Sequence, residues 1–232
     1  MHSVFRVGGL ALVAFLVGCS DSGREPLVEP LTASAVIQDA LEALDSDQFA
    51  DGWTASVTQF PDIGSPILDS KIEACRLFTA DMAAVEATRV SHLWASGAME
   101  GRKRNAKGQG YFAVMVTAHD DAERASEYLE RFFEALSSEA NGACTTGMTA
   151  TTLKLSIERR EASVSAPTGG FGRAQTVRSA DGRYVTMQED YGWRRGNLAI
   201  FVLISVDEGL HESVDLRKLV EQADSAVQDA MK

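Results

Sequence analysis

The run Leu198-Ala-Ile-Phe-Val-Leu-Ile-Ser205 is apolar at every position but the last. With no polar side to show to water, and with the length and branched side chains of a strand, it is expected to be the central strand of a sheet. What surrounds it sets the class. Downstream, about Asp215 to Met231 places Leu216, Leu219, Val220, Ala223, Ala226, Val227 and Ala230 on one helical face. Upstream, Tyr184 to Tyr191 reads as a strand after the Asp181-Gly182 turn, with Gly192-Trp-Arg-Arg-Gly196 as the connection. Leu153, Leu155 and Ile157 alternate with Thr152, Lys154, Ser156 and Glu158, a strand with one wet side.

The first half of the chain repeats the mixture. Ser34 to Leu44 has helical spacing, and Trp53, Ala55 and Val57 alternate with polar residues as in a half-buried strand. Thr79 is placed to cap a brief helix over Ala80 to Val85. Ala87 to Ser96 and Tyr111 to Thr117 read as two strands of a hairpin around the glycine-bearing, basic segment Gly101 to Gly110. Asp120 and Glu123 have capping-box-like spacing before the stripe Ala122, Ala125, Leu129, Phe132, Phe133 and Leu136. Strands joined mostly by turns, with helices in blocks, predict a single α+β domain: a mainly antiparallel sheet with helices packed on it, and one disulfide.

The N-terminus is of a different kind. Arg6 precedes the apolar run Val7 to Val17, which is shorter than the roughly 20 residues of a comfortable membrane span. It ends in Leu16-Val-Gly-Cys19, which resembles a bacterial lipobox. In such precursors a diacylglyceryl group joins the cysteine sulfur and the preceding peptide is removed. The expectation is a lipoprotein signal peptide over 1–18, a lipidated N-terminus and tether over 19–33, and the folded domain over 34–232. Localisation would then be the extracytoplasmic face of the cell membrane, with the membrane itself a partner through the lipid on Cys19.

Of the three cysteines, Cys75 and Cys144 remain once Cys19 is assigned to the anchor. In an oxidising compartment a structural disulfide between them is the default, with two separate thiols as the alternative. The chain carries 33 acidic against 22 basic residues, a net charge of -11, which argues against a nucleic-acid partner. Excess negative charge also gives the protein no general attraction to an anionic membrane, so anchoring falls to the lipid.

The order of an early helix before Gly52-Trp53, then Cys75, a hairpin, the helix closed by Cys144, and Arg195-Gly196-Asn197 leading into the last strand and helix resembles the actinobacterial sensor-domain lipoproteins of PknH-like type. The LpqN-type lipoproteins, with a related PsbP-like layered fold, are a second resemblance. Either implies an α+β extracytoplasmic domain that binds a ligand or signals, with no catalytic residues to carry over.

No catalytic set stands out in the residues. His119-Asp120-Asp121 lacks the second ligand cluster of a metal site, Ser91-His92 lacks a nucleophile elbow, and Gly169-Gly-Phe-Gly172 falls short of a dinucleotide fingerprint. Glu189 and Asp190, adjacent on a strand, point to opposite faces. No metal or cofactor is expected. Two features suit binding. Arg102, Lys103, Arg104 and Lys107 form a basic segment suited to an anionic surface, and Phe171 and Trp193 are candidates to line a ligand cleft. The expected function is a non-enzymatic binding or sensing lipoprotein for a small molecule, a lipid or an envelope protein. The alternative is a carrier of a lipid or other apolar molecule, which would need an internal apolar cavity.

Overall fold

The structure, a computed structural model, describes residues 25–59, 77, 80–85, 93–138, 155–167, 169–183 and 185–232. Helices α1 (Ala33–Glu42) and α2 (Ser46–Phe49) lead into strand β1 (Thr54–Gln59). Residues 80–85 are helical, and their expected cap Thr79 lies outside the described residues. The hairpin strands β2 (Leu93–Asn105) and β3 (Gly108–His119) precede helix α3 (Ala122–Ser137). Then come β4 (Leu155–Arg160), β5 (Phe171–Ser179), β6 (Val185–Arg195), β7 (Leu198–Asp207), a 3₁₀ turn at Glu208–Ser213 and helix α4 (Leu216–Ala230).

The seven strands form one sheet in the order β1-β2-β3-β7-β6-β5-β4, every neighbouring pair antiparallel. The apolar run is the middle strand, as its composition demands. Alternate residues Leu198, Ile200, Val202, Ile204 and Val206 enter one core beneath α1 and α4. Ala199, Phe201 and Leu203 enter the other beneath α3, where the Phe201 ring meets Phe132 at 4.7 Å and Tyr128 at 5.3 Å.

Two expectations fail where glycine was read as punctuation. The β2–β3 ladder continues through the basic segment to Asn105↔Gly108, leaving only Ala106-Lys107 as the turn. Gly101 is there because a Cβ would lie 2.0 Å from the Phe112 ring, so it makes room for an aromatic side chain across the ladder. Gly192 likewise lies within β6, where a Cβ would meet Phe133 at 2.5 Å and Leu129 at 2.9 Å. It is the seat of α3 on the sheet, and the β6–β7 turn is Gly196-Asn197 alone. The α3 cap also moves by one residue. Asp121 takes the extended backbone of an N-cap and accepts from the Arg124 amide at 2.8 Å.

The one-disulfide fold is also corrected. No disulfide forms among the described residues, Cys75 and Cys144 both lie outside them, and the described layers close without a cross-link. Counting cysteines gives no geometry, whereas a bridge needs Cα atoms roughly 4.4–6.8 Å apart.

Within the segment 19–33, expected as lipidated N-terminus and tether, Glu25 and Val28 are bonded to the β6–β7 turn. Glu25 accepts from Arg194 at 3.0 Å, Arg195 at 3.2 Å and the Gly196 amide at 3.0 Å. Arg195 also forks onto Asp224 of α4 at 2.8 and 2.7 Å, and Asp224 accepts from the buried Trp193 indole at 2.8 Å. Asn197, fully buried, accepts from the Val28 amide at 2.8 Å and donates to the carbonyls of Val28 at 3.0 Å and His119 at 2.7 Å. Truncating it would leave those backbone groups buried without partners. Asn197→Ala is expected to lower unfolding free energy by about 3 kcal/mol, read as a drop in urea midpoint, and to expose the Val28 amide to hydrogen exchange.

Candidate functional site

At the end of the sheet away from Glu25, three connections meet: the Ala106-Lys107 turn, the β5–β6 turn around Gly182, and the exit of β7 into its 3₁₀ turn. Local chemistry fixes each. Asn105 Oδ1 accepts from the Lys107 amide at 2.7 Å, closing the hairpin. Asp181 accepts from the Ser179 hydroxyl at 2.6 Å and the Arg183 amide at 3.2 Å. Asp207 binds both neighbours, taking the Gln109 amide at 2.9 Å and the Thr186 hydroxyl at 3.1 Å. They enclose an open concavity of about 600 Å³ edged by Arg104, Lys107, Arg183, Asp207 and Glu208. A neighbouring hollow of about 270 Å³ is bordered by Arg102, Tyr111, Thr186, Ser205 and Asp207.

The four basic residues expected to act together are divided by the strand they occupy. Arg102 and Arg104 share one face of β2 and Lys103 the other, since side chains alternate. Lys103 donates to the Asp51 carbonyl at 2.9 Å. Arg102 sits 3.7 Å from Glu100 and 5.7 Å from the centre of the Tyr111 ring. Tyr111 donates to Glu100 at 3.1 Å, and burial together with that carboxylate pushes its hydroxyl up to about 12. Arg104 and Lys107 make no ion pair among the described residues. Arg183, which the sequence reading passed over, joins them at the rim, 87% exposed and only 3.5 Å from Asp181. Its signal was the Asp181-Gly182-Arg183 turn. Arg104, Lys107 and Arg183 face two lining carboxylates, Asp207 and Glu208, a formal excess of one positive charge, and both Asp207 oxygens are already engaged by the Gln109 amide and the Thr186 hydroxyl. Such a rim can hold a phosphate or carboxylate by charge and by the planar fork of arginine.

The other candidates are not brought together. Phe171 pairs with Gly192 in the ladder and stacks on Phe133 of α3, centroids 5.6 Å apart. Trp193, one residue beyond Gly192, is fully buried on the opposite face under α4. A single cleft lined by both is therefore corrected: the pleat separates them. Cys19, Cys75, Cys144, Ser91 and His92 lie outside the described residues. His119 is buried at the end of β3, its ring 2.9 Å from the Thr117 hydroxyl and 5.2 Å from the Tyr128 ring. Among the described residues no group of His, Cys, Asp and Glu side chains is arranged to hold a metal, and no helix is long and apolar enough to cross a membrane.

Glu189 and Asp190 do face opposite sides, and each has its own arginine, which spacing could not show. Asp190 is paired with Arg173, which also donates to the Leu136 carbonyl in the last turn of α3. Glu189 receives the Ser163 amide at 2.9 Å, the Ser163 hydroxyl at 2.5 Å, Arg160 at 2.9 Å and the Tyr191 hydroxyl.

No family model and no curated protein matches the chain. Among solved structures it is similar to the extracellular domain of PknH from Mycobacterium tuberculosis, at 11% identity over 90% of this chain and 98% of that one, with a TM-score of 0.43. A likeness that low carries no function across.

Burial alone would raise the Glu189 carboxyl, but the bonds from Ser163 and Tyr191 and the Arg160 charge hold it below its ordinary 4.5. A depressed carboxylate adds stability above its unfolded value and loses it as pH falls toward the folded one. Glu189→Gln is expected to give a less stable protein at neutral pH whose urea midpoint falls less steeply on acidification below that value. A wild-type slope in the variant would exclude Glu189 as a titrating contributor.

Proposed function

We propose that this chain is an extracytoplasmic lipoprotein, held in the membrane by acyl chains on Cys19, that acts as a non-enzymatic binding or sensing module and takes an anionic ligand at the hairpin end of its sheet. The observation that carries the ligand reading is the open concavity on which Arg104, Lys107 and Arg183 converge, the first two without ion-pair partners among the described residues. In a chain of net charge -11 such a locus is a site where an anion gains attraction that the rest of the surface denies it. The anchor reading rests on Leu16-Val-Gly-Cys19 and the short apolar run before it. Two or more acyl chains give stable attachment where one gives marginal binding. A carrier role has less support, since the described sheet-to-helix interfaces are filled by side chains such as Phe201 and Tyr191.

Replacing Arg104 and Lys107 by glutamate reverses two charges at the rim. At about 1 kcal/mol per basic group, the double variant Arg104→Glu, Lys107→Glu is expected to bind inorganic polyphosphate at least roughly tenfold more weakly than wild type and with a flatter salt dependence. Equal affinity would remove the site. For the anchor, Cys19→Ala is expected to shift the protein from the membrane fraction to the soluble one on cell fractionation. Retention on the membrane would refute lipidation.

A further inference from the structure

The tether and the candidate site lie at opposite ends of the central strand. Glu25 and Val28 are bonded to Arg195, Gly196 and Asn197, immediately before β7 begins. Asp207, the last residue of β7, borders the concavity. From Leu198 to Asp207 the strand makes nine steps, about 30 Å at roughly 3.4 Å each. From Cys19 to Glu25 the chain makes six, a reach of about 20 Å at full extension. The hairpin end could therefore touch the bilayer that holds the chain only if the domain lay on its side.

The described helices on each broad side carry a net negative charge, which opposes that posture. On one, α3 carries Glu123, Glu127, Glu130 and Glu134 against Arg124 and Arg131. On the other, α1 carries Asp39 and Glu42 with no basic residue; on α4, Asp224 is paired with Arg195 and Asp229 with Lys232, leaving Glu221 against Arg217 and Lys218. Laying either helical layer on an anionic leaflet brings like charges within a Debye length of about 8–10 Å. Standing on its tether end, the domain instead holds its acidic layers perpendicular to the leaflet and its cationic rim farthest from it.

We infer that the hairpin end faces away from the bilayer carrying the chain, and that its occupant is a phosphate- or carboxylate-bearing polymer of the surrounding envelope, not the headgroups of the same leaflet. Phosphate chemistry is common to both sources, and position separates them. The inference rests on the anchored, anion-binding reading above, and its test can fail separately from that reading.

The experiment uses the full-length lipidated protein in vesicles of phosphatidylcholine alone or of phosphatidylcholine with phosphatidylglycerol, with long-chain inorganic polyphosphate as the probe and cosedimentation as the readout. The expected result is equal capture on the two vesicle types, with at least a tenfold loss on both in Arg104→Glu, Lys107→Glu. At about 30 Å from the leaflet, its charge is screened from the rim. If phosphatidylglycerol in the same membrane cuts capture tenfold, the rim is occupied by its own leaflet and the outward orientation is wrong, while the site stands. If wild type and variant capture the probe equally, or neither captures it, the site itself is wrong and the orientation falls with it. Circular dichroism of the variant confirms that the fold is retained.

Discussion

Burial of β7 on both faces is the constraint on which the other elements depend. A strand apolar from Leu198 through Ile204 must have a helical layer above and below, and its backbone must be paired on both sides. The chain meets these demands with β3 and β6 as ladder partners, α1 and α4 on one face, and α3 on the other. Glycine then serves packing as much as turning: at position 192 the sheet loses a side chain so that Leu129 and Phe133 can approach its backbone.

The half of the sheet beyond β7 is tied down differently. β6 sends Glu189 to one side and Asp190 to the other, and each buried carboxylate is matched by an arginine, Asp190 by Arg173 of the adjacent β5 and Glu189 by Arg160 at the end of β4, one strand further out. Arg173 also reaches the C-terminal turn of α3, where the helix presents unpaired carbonyls and partial negative charge. Ser163 brings the segment after β4 onto Glu189. Such pairs are weak as net stabilisers and costly to break singly, so they fix the register of the outer strands more than they add to stability.

What the sequence discloses is what period and composition control. The central strand, the two long amphipathic helices, the hairpin and the opposed directions of Glu189 and Asp190 all follow from spacing. What it hides depends on contacts across the fold. Gly101 reads as a loop residue until Phe112 is seen to occupy its space, and this is why Arg102, Lys103 and Arg104 were expected on one tip when the strand turns Lys103 away. Phe171 and Trp193 both lie beside glycines and looked alike, yet the pleat puts α3 over one and α4 over the other. Arg183 gave no periodic signal and joins the rim only because antiparallel pairing brings the β5–β6 turn beside Asp207.

The bonds from Glu25 and Val28 to the β6–β7 turn also have a mechanical meaning. A pull on the N-terminal chain is delivered first to Arg195, Gly196 and Asn197, at the end of the two long strands β6 and β7 and not at an edge of the sheet. Load along those strands acts in shear on the ladders that flank them, so that many hydrogen bonds must yield together. The same load on an outer strand would peel them one at a time. A domain whose N-terminal segment is bonded in this way can be drawn on from that end without its sheet being unzipped.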